Sequence, residues 1–194
     1  MSHPTPTPTP TPTDHRTAPA ATARPVDTET FRAVMGALPT GVTVVTTLDS
    51  QGGPCGFTCS AACSVSQEPP LLLVCVNSRS KVLREILGTG ALAVNVLRDS
   101  REWVSSHFAS RAEDRFAEVA WEPTGTLGLP WLADHTVAYA ECRLHSAITA
   151  GDHTVVIGTI VGGAARQSHG PLMYWRREYA GWPTGPDLTL ATEG

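Results

Sequence analysis

Six runs rich in β-branched and apolar residues, most of them separated by little more than a turn, restrict this chain to a fold built on an antiparallel sheet. They are Val42 to Leu48, a run beginning near Cys55, Pro70 to Val76 ("PLLLVCV"), Ala91 to Leu97 ("ALAVNVL"), Thr136 to Ile148, and His153 to Val161. Branched side chains suit a pleated surface, and the turn-rich "DSQGGP" after Leu48 predicts a hairpin. Between Val137 and Ile148 the even positions Ala138, Ala140, Cys142, Leu144 and Ile148 are apolar, whereas Glu141, Arg143 and His145 take odd ones. That alternation predicts one packed face and one wet face. "TVVIGTIV" is apolar almost throughout, which predicts burial on both faces.

Three helical patterns interrupt the strands. Phe31, Val34, Met35 and Leu38 repeat at helical spacing behind a possible N-cap, Asp27, before Pro39 and Gly41 end the pattern. Ser80 precedes a second helix with Leu83, Ile86 and Leu87 on one side, and a third is expected from Ser100 to Phe108. So many strands with so few helices favour a closed or nearly closed antiparallel barrel over a doubly wound sheet.

Within the first 25 residues Pro and Thr alternate from Pro4 to Thr13, which denies the backbone helix and sheet hydrogen bonds. We expect a disordered tail over 1–26, one domain over 27–183 and a flexible C-terminal tail over 184–194. About 150 residues is enough for a single self-sufficient core. The five cysteines, Cys55, Cys59, Cys63, Cys75 and Cys142, are odd in number and follow no apolar cleavable leader, so they read as reduced thiols of a cytoplasmic protein. No apolar run is long enough to span a membrane. A net charge of −4 argues against nucleic acid as a partner.

Several stretches have the residue types for binding. "GTGALA" satisfies G-x-G-x-x-A, but its glycines follow a helix and open a strand, so it reads as a helix stop with Gly88 or Gly90 left-handed. Cys55, Cys59 and Cys63 recur every four residues, yet Gly56 and Pro69-Pro70 break any helix and no metal-ligand spacing accompanies them, so no metal is expected. Thr58, Cys59, Ser60, Ala61 and Ser64 belong to a run of small side chains. It is either a Ser-rich surface loop or a place where backbone can approach a flat polar ligand closely. "NSRSK" joins Asn77, Ser78, Arg79, Ser80 and the single lysine, Lys81, to a helix start; it is either an ordinary cap or a phosphate site. "GDH", Gly151 to His153, is either a turn or a binding element.

Taken in order and spacing, "LPTGVTVVTT", "GFTCSAACSVSQEPPLLLVCV", "NSRS", "ALAVNVL", "AGDHTVVIG" and "PLMYWRREY" resemble the short-chain NAD(P)H:flavin oxidoreductase family, the reductase components of two-component flavin-dependent monooxygenases. The resemblance covers Thr28 to Pro183. It implies a flavin-binding split β-barrel, mainly β with a few helices, working as a homodimer with FMN or FAD. Thr40, Gly41, Val42, Thr58, Cys59, Ser60, Ala61, Ser64 and Val65 would lie along the isoalloxazine, and Asn77, Ser78, Arg79 and Ser80 around the ribityl phosphate. His153 would face NADH or NADPH, with Tyr174, Arg176 and Arg177 assisting. Relatives carry a larger residue where this chain has "SAACSVS", which implies a roomier pocket.

No acid, base or nucleophile is needed, because the cofactors carry hydride transfer and the protein stacks their rings. The expected partner is a flavin-dependent monooxygenase reached by diffusing reduced flavin. The competing readings are a flavin-storage barrel without catalysis and a split-barrel oxidase for another reduced substrate.

Overall fold

A computed structural model describes residues 24–112, 114–166 and 169–182; most of the expected N-terminal tail and the whole expected C-terminal tail lie outside the described residues. The chain runs α1 (Thr28–Gly36), β1 (Thr40–Gly41), β2 (Thr43–Leu48), β3 (Pro54–Cys59), β4 (Ala62–Ser66), β5 (Leu71–Asn77), α2 (Lys81–Thr89), β6 (Ala91–Leu97) and α3 (Glu102–Ala109). It continues with β7 (Glu122–Pro123), β8 (Pro130–Trp131), a short 3-10 turn, β9 (Thr136–Ala150), β10 (His153–Ala165), β11 (Leu172–Trp175) and β12 (Glu178–Gly181).

Seven strands form one antiparallel sheet in the order β3-β2-β6-β9-β10-β5-β4. Its two outermost strands, β3 and β4, are consecutive in sequence and joined by Ser60 and Ala61 alone. A joint that short cannot cross the width of a flat seven-stranded sheet, since strands lie about 4.8 Å apart. The sheet therefore rolls until its edges meet: Cys75 N–H donates to Ala61 O at 3.0 Å, and Cys59 Sγ reaches Cys75 O at 3.7 Å. This is the split barrel that the strand pattern and the resemblance predict.

Alternate residues of β2 and β6 serve different cores. Val45, Leu92 and Val94 point into the barrel with Val74, Val76, Cys142 and Val156, and α2 closes over them with Val82, Leu83 and Ile86. Val44 and Leu97 point the other way, into a second cluster with Val104 and Phe108 of α3, Leu132 and Leu172. Both faces of these central strands are covered, which is why "ALAVNVL" reads as a continuous apolar run. Gly90 ends α2 at φ 66°, the left-handed stop expected there.

Several expectations need correction. "TVVIGTIV" is not buried on both faces: Thr154, Val156 and Gly158 are buried, their neighbours are half-buried and Val161 is exposed, because one face alone of β10 meets the barrel core. In β9 the packed face fails beyond Leu144. Strand β6 pairs with β9 only as far as Arg143, so Ile148 sits on an uncovered ribbon end at 55 % exposure. Glu141, expected in water, is 1 % exposed. Helix α1 ends at Gly36 rather than Pro39, and its stripe faces away from both cores, with Phe31 57 % and Val34 63 % exposed. Leu87 is exposed, and α3 begins at Glu102 rather than Ser100. Cys55 and Cys59 lie on β3 and Cys63 on β4, so they share no helical face; all five cysteines are free thiols. Among the described residues, no helix is long and apolar enough to cross a membrane.

Candidate functional site

The barrel joint exposes the small-residue run. Ser60 and Ala61 are exposed between β3 and β4, and the edge strand β4 presents Cys63, Ser64 and Val65 to solvent, with an irregularity in the pairing between Ser64 and Ser66. A cleft of about 640 Å³ opens beside this joint. Thr40 and Ser60 form its floor, Phe31 and Met35 of α1 with Leu38 just beyond it one wall, and Tyr174, Arg176 and Arg177 another. The register explains the grouping, because β1 pairs Thr40 with Tyr174 and Gly41 with Met173. Arg176 and Arg177 occupy the two-residue turn between β11 and β12 at φ 48° and 69°, the left-handed pair that such a hairpin requires and that glycine or asparagine usually fills. Trp175 lies under the Arg176 guanidinium at 4.5 Å and donates its indole N–H to Ala37 O at 3.1 Å, tying the hairpin to the end of α1.

The expected flavin residues divide into those that are free and those already engaged. Val42 is engaged throughout: its side chain is in the second core, its N–H donates to Leu172 O and its C=O accepts from Leu97 N. Thr58 Oγ1 donates to Ser105 O at 2.6 Å, and burial raises the pKa of the Cys59 thiol, so these two hold the strand rather than face a ligand. Gly41, Ser60, Ala61, Ser64 and Val65 remain exposed. The Thr40 hydroxyl is buried against the cleft with no hydrogen-bond partner among the described residues, an open position for a polar ligand atom. Nothing lies within 4 Å of where a Cβ on Gly41 would stand, so the backbone there is open to a flat ring.

A second cavity, about 490 Å³, is lined by Asn77, Ser78, Arg79, Gly151 and Asp152. The pairing of His153 with Asn77 across β10 and β5 brings "NSRS" and "GDH" together. Ser78 N–H donates to Asp152 O at 3.0 Å, and Ser78 Oγ lies 3.0 Å from Thr154 Oγ1. Asn77 Oδ1 accepts from Arg79 N at 2.9 Å, shaping the turn into α2. Ser80 is the N-cap residue, yet its side chain makes no capping bond, so its hydroxyl and the first N–H groups of α2 remain available to an anion. His153 Nδ1 lies 2.8 Å from Asp152 Oδ1. The hydrogen bond with His153, reinforced by its charge, holds the Asp152 carboxyl below the usual carboxylate range. With Nδ1 held by Asp152, Nε2 of the half-exposed ring is left for a ligand.

His153 thus stands with Asn77 to Ser80, whereas Tyr174, Arg176 and Arg177 stand with Thr40 and Ser60; no described cavity holds both groups. The wall supplied by α1, with Trp175 as its anchor, was absent from the sequence expectations. Its signal was present: an apolar helical stripe before the first strand needs something to cover.

The flavin reductase like domain matches residues 35–183. The chain is 56 % identical over 175 residues to the flavin reductase (NADH) of Kitasatospora aureofaciens, covering 87 % of this chain and 92 % of that protein. It is 36 % identical over 171 residues to the reductase subunit HsaB of a flavin-dependent monooxygenase from Rhodococcus jostii (strain RHA1), covering 88 % and 85 %. The structure of the NADH:FAD oxidoreductase SgcE6 of Streptomyces globisporus C-1027, in complex with NAD and FAD fragments, superposes with a TM-score of 0.76 at 32 % identity, over 86 % of this chain and 99 % of that one. With a rolled seven-stranded barrel, an open small-residue joint and a family match across most of the described residues, the chain belongs to the flavin reductase like domain family.

Proposed function

We propose that this chain is an NAD(P)H:flavin oxidoreductase that reduces FMN or FAD and releases it to a flavin-dependent monooxygenase. The observation that carries the reading is the open joint of the barrel, where the exposed small residues Gly41, Ser60 and Ala61 meet the partnerless Thr40 hydroxyl. When bound, the flavin and the nicotinamide supply the hydride chemistry themselves. The chain's residues then bind and orient. Gly41, Ser60 and Ala61, small and exposed, would let a flat ring approach the backbone, and Thr40 Oγ1 would fill its hydrogen-bonding capacity on the ring edge. Ala61 O is bonded to Cys75 N, three residues before Ser78, which is about 10 Å along a strand. A ring at the joint therefore places its phosphate arm in reach of Ser78, Arg79, Ser80 and the start of α2. His153 presents Nε2 to the incoming dinucleotide, and Asp152 keeps the ring from turning.

Anaerobic mixing of the protein with NADH and excess FMN, then FAD, tests the proposal. Many turnovers of free flavin per subunit are expected; one slow turnover would instead match a storage barrel. The phosphate contact has its own test. Arg79→Ala is expected to weaken FMN about five-fold while leaving riboflavin, which lacks the phosphate, nearly unchanged in fluorescence titration. Equal loss for both would remove Arg79 from the site.

The exposed stripe of α1 and the half-covered outer face of β10 support pairing of two copies in a cytoplasmic homodimer. Sedimentation at micromolar concentration is expected to give twice the mass of the chain, and a single-chain mass would contradict it.

A further inference from the structure

Three of the chain's 14 Lys and Arg side chains meet in a cavity of about 490 Å³ that shares no lining residue with either cavity above. Arg98 follows β6 and Arg101 stands at the N-cap position of α3 three residues later, whereas Arg166 follows β10, far along the chain. His135 and His169 complete the basic lining; Asp134 is the single acid in it, and Asp99 Oδ1 stands 3.9 Å from His169 Nδ1. The guanidiniums are only partly satisfied. Arg98 Nε donates to Asp134 O at 3.1 Å, Arg166 Nη1 to Ala133 O at 3.1 Å, and Arg101 Nη1 only weakly to Ser100 O at 3.3 Å. Among the described residues, no carboxylate forms an ion pair with any of the three. Two buried nitrogens of the lining, Arg101 Nε and His135 Nδ1, have no hydrogen-bond partner among the described residues.

Buried donors without acceptors are costly, and like charges gathered in one cavity repel. In a chain of net charge −4 this concentration is not a by-product of a basic surface. An oxyanion with several acceptor oxygens removes both costs at once, because it accepts from Arg101 Nε, and from His135 Nδ1 in the neutral tautomer that carries its proton there, while compensating all three guanidiniums; burial lowers the His135 pKa and so favours the neutral ring. We infer that this cavity binds a phosphate-class anion, a phosphomonoester or pyrophosphate, through Arg98, Arg101 and His135, with Arg166 held over the Trp131 ring as a fixed neighbouring charge. The cavity exceeds the size of one phosphate, so the anion belongs to a nucleotide or occupies the cavity with water. Leu97 N–H donates to Val42 O, which links the residue before Arg98 to a residue two positions after Thr40 on the floor of the flavin cleft. The inference stands on these residues and does not depend on the activity proposed above.

Calorimetric titration of the full chain with inorganic pyrophosphate, at constant ionic strength, tests it. Saturable binding is expected, weakened about ten-fold or more in Arg98→Gln combined with Arg101→Gln, and unchanged in Arg143→Gln, an exposed arginine of β9 outside every cavity described. Absence of saturable binding, binding indifferent to the double substitution, or an equal loss in Arg143→Gln would each overturn the assignment. Should the double variant not fold, Arg101→Gln by itself carries the test, since it removes a group bonded only to its own turn. Steady-state kinetics of Arg101→Gln then separates the sources. A raised KM for NADH or NADPH with competition by pyrophosphate assigns the phosphate to the reacting dinucleotide, and an unchanged KM without competition assigns it to a separate nucleotide or to free phosphate.

Discussion

His153→Ala is expected to raise the KM for NADH about ten-fold while changing that for flavin less than about two-fold, the loss being that of one directed hydrogen bond at a half-exposed site. The reasoning is geometric. His153 is paired with Asn77 and its ring is held by Asp152 at 2.8 Å, and both of these partners line the cavity that closes around Arg79 and Gly151. Since Tyr174 and the two arginines of the neighbouring turn line a different cavity, an Arg177→Ala effect on NADH is expected to add to that of His153→Ala rather than overlap with it. An unchanged NADH response in steady-state kinetics would return "GDH" to the role of a turn.

Glu141→Ala is expected to lower the unfolding free energy by about 3 kcal/mol and the thermal midpoint by about 10 °C. The carboxylate sits inside the protein at the middle of β9 and accepts from Leu127 N at 2.7 Å and Thr126 N at 3.1 Å, so its removal strands both backbone donors. Those bonds fasten the 124–129 loop over Ala91, Ala93 and Leu129, the third core cluster. A Cβ on Gly162 would collide with Glu141 Oε1, so the site has no slack for another arrangement. Burial pushes the Glu141 carboxyl up, but the hydrogen bonds from Thr124, Leu127 and Thr126 outweigh it and hold its pKa below the ordinary 4.5. A folded-state pKa lowered in this way gives stability that is complete above pH 4.5 and is lost as pH falls through the lowered value. Thermal melts in acid should therefore show a shallower decline for Glu141→Gln than for the unaltered chain, and parallel declines would show that the carboxylate is not charged when folded.

Glu141 also marks the limit of reading strands from local alternation. Its neighbours Ala140 and Cys142 took the expected side, and the alternation correctly separated Glu141 from them. The water it was assigned to is displaced by a loop from 15 residues earlier, which no two-residue period encodes. The same holds for Ile148, whose packing was assigned by period but whose neighbour strand ends too soon. Thr58 and Val42 show the corresponding limit at the site. Both belong to motifs that the resemblance places along the flavin, yet tertiary bonds to Ser105, Leu172 and Leu97 engage them and leave the small residues beside them as the exposed surface.

What the chain's own sequence determined was local: the strand runs, the hairpin turn after Leu48, the left-handed stop at Gly90 and the cap at Asp27, each set by side-chain shape and backbone preference within a few residues. The ordered motifs carried the family as well. Only the tertiary structure decided that Ser60 and Ala61 would be the joint of a rolled sheet, that His153 would stand beside Arg79 and apart from Arg177, and that three arginines spread over nearly 70 residues would share one cavity. Those outcomes depend on which strands pair across long stretches of chain, and pairing is chosen by the burial of whole faces at once rather than by any single segment.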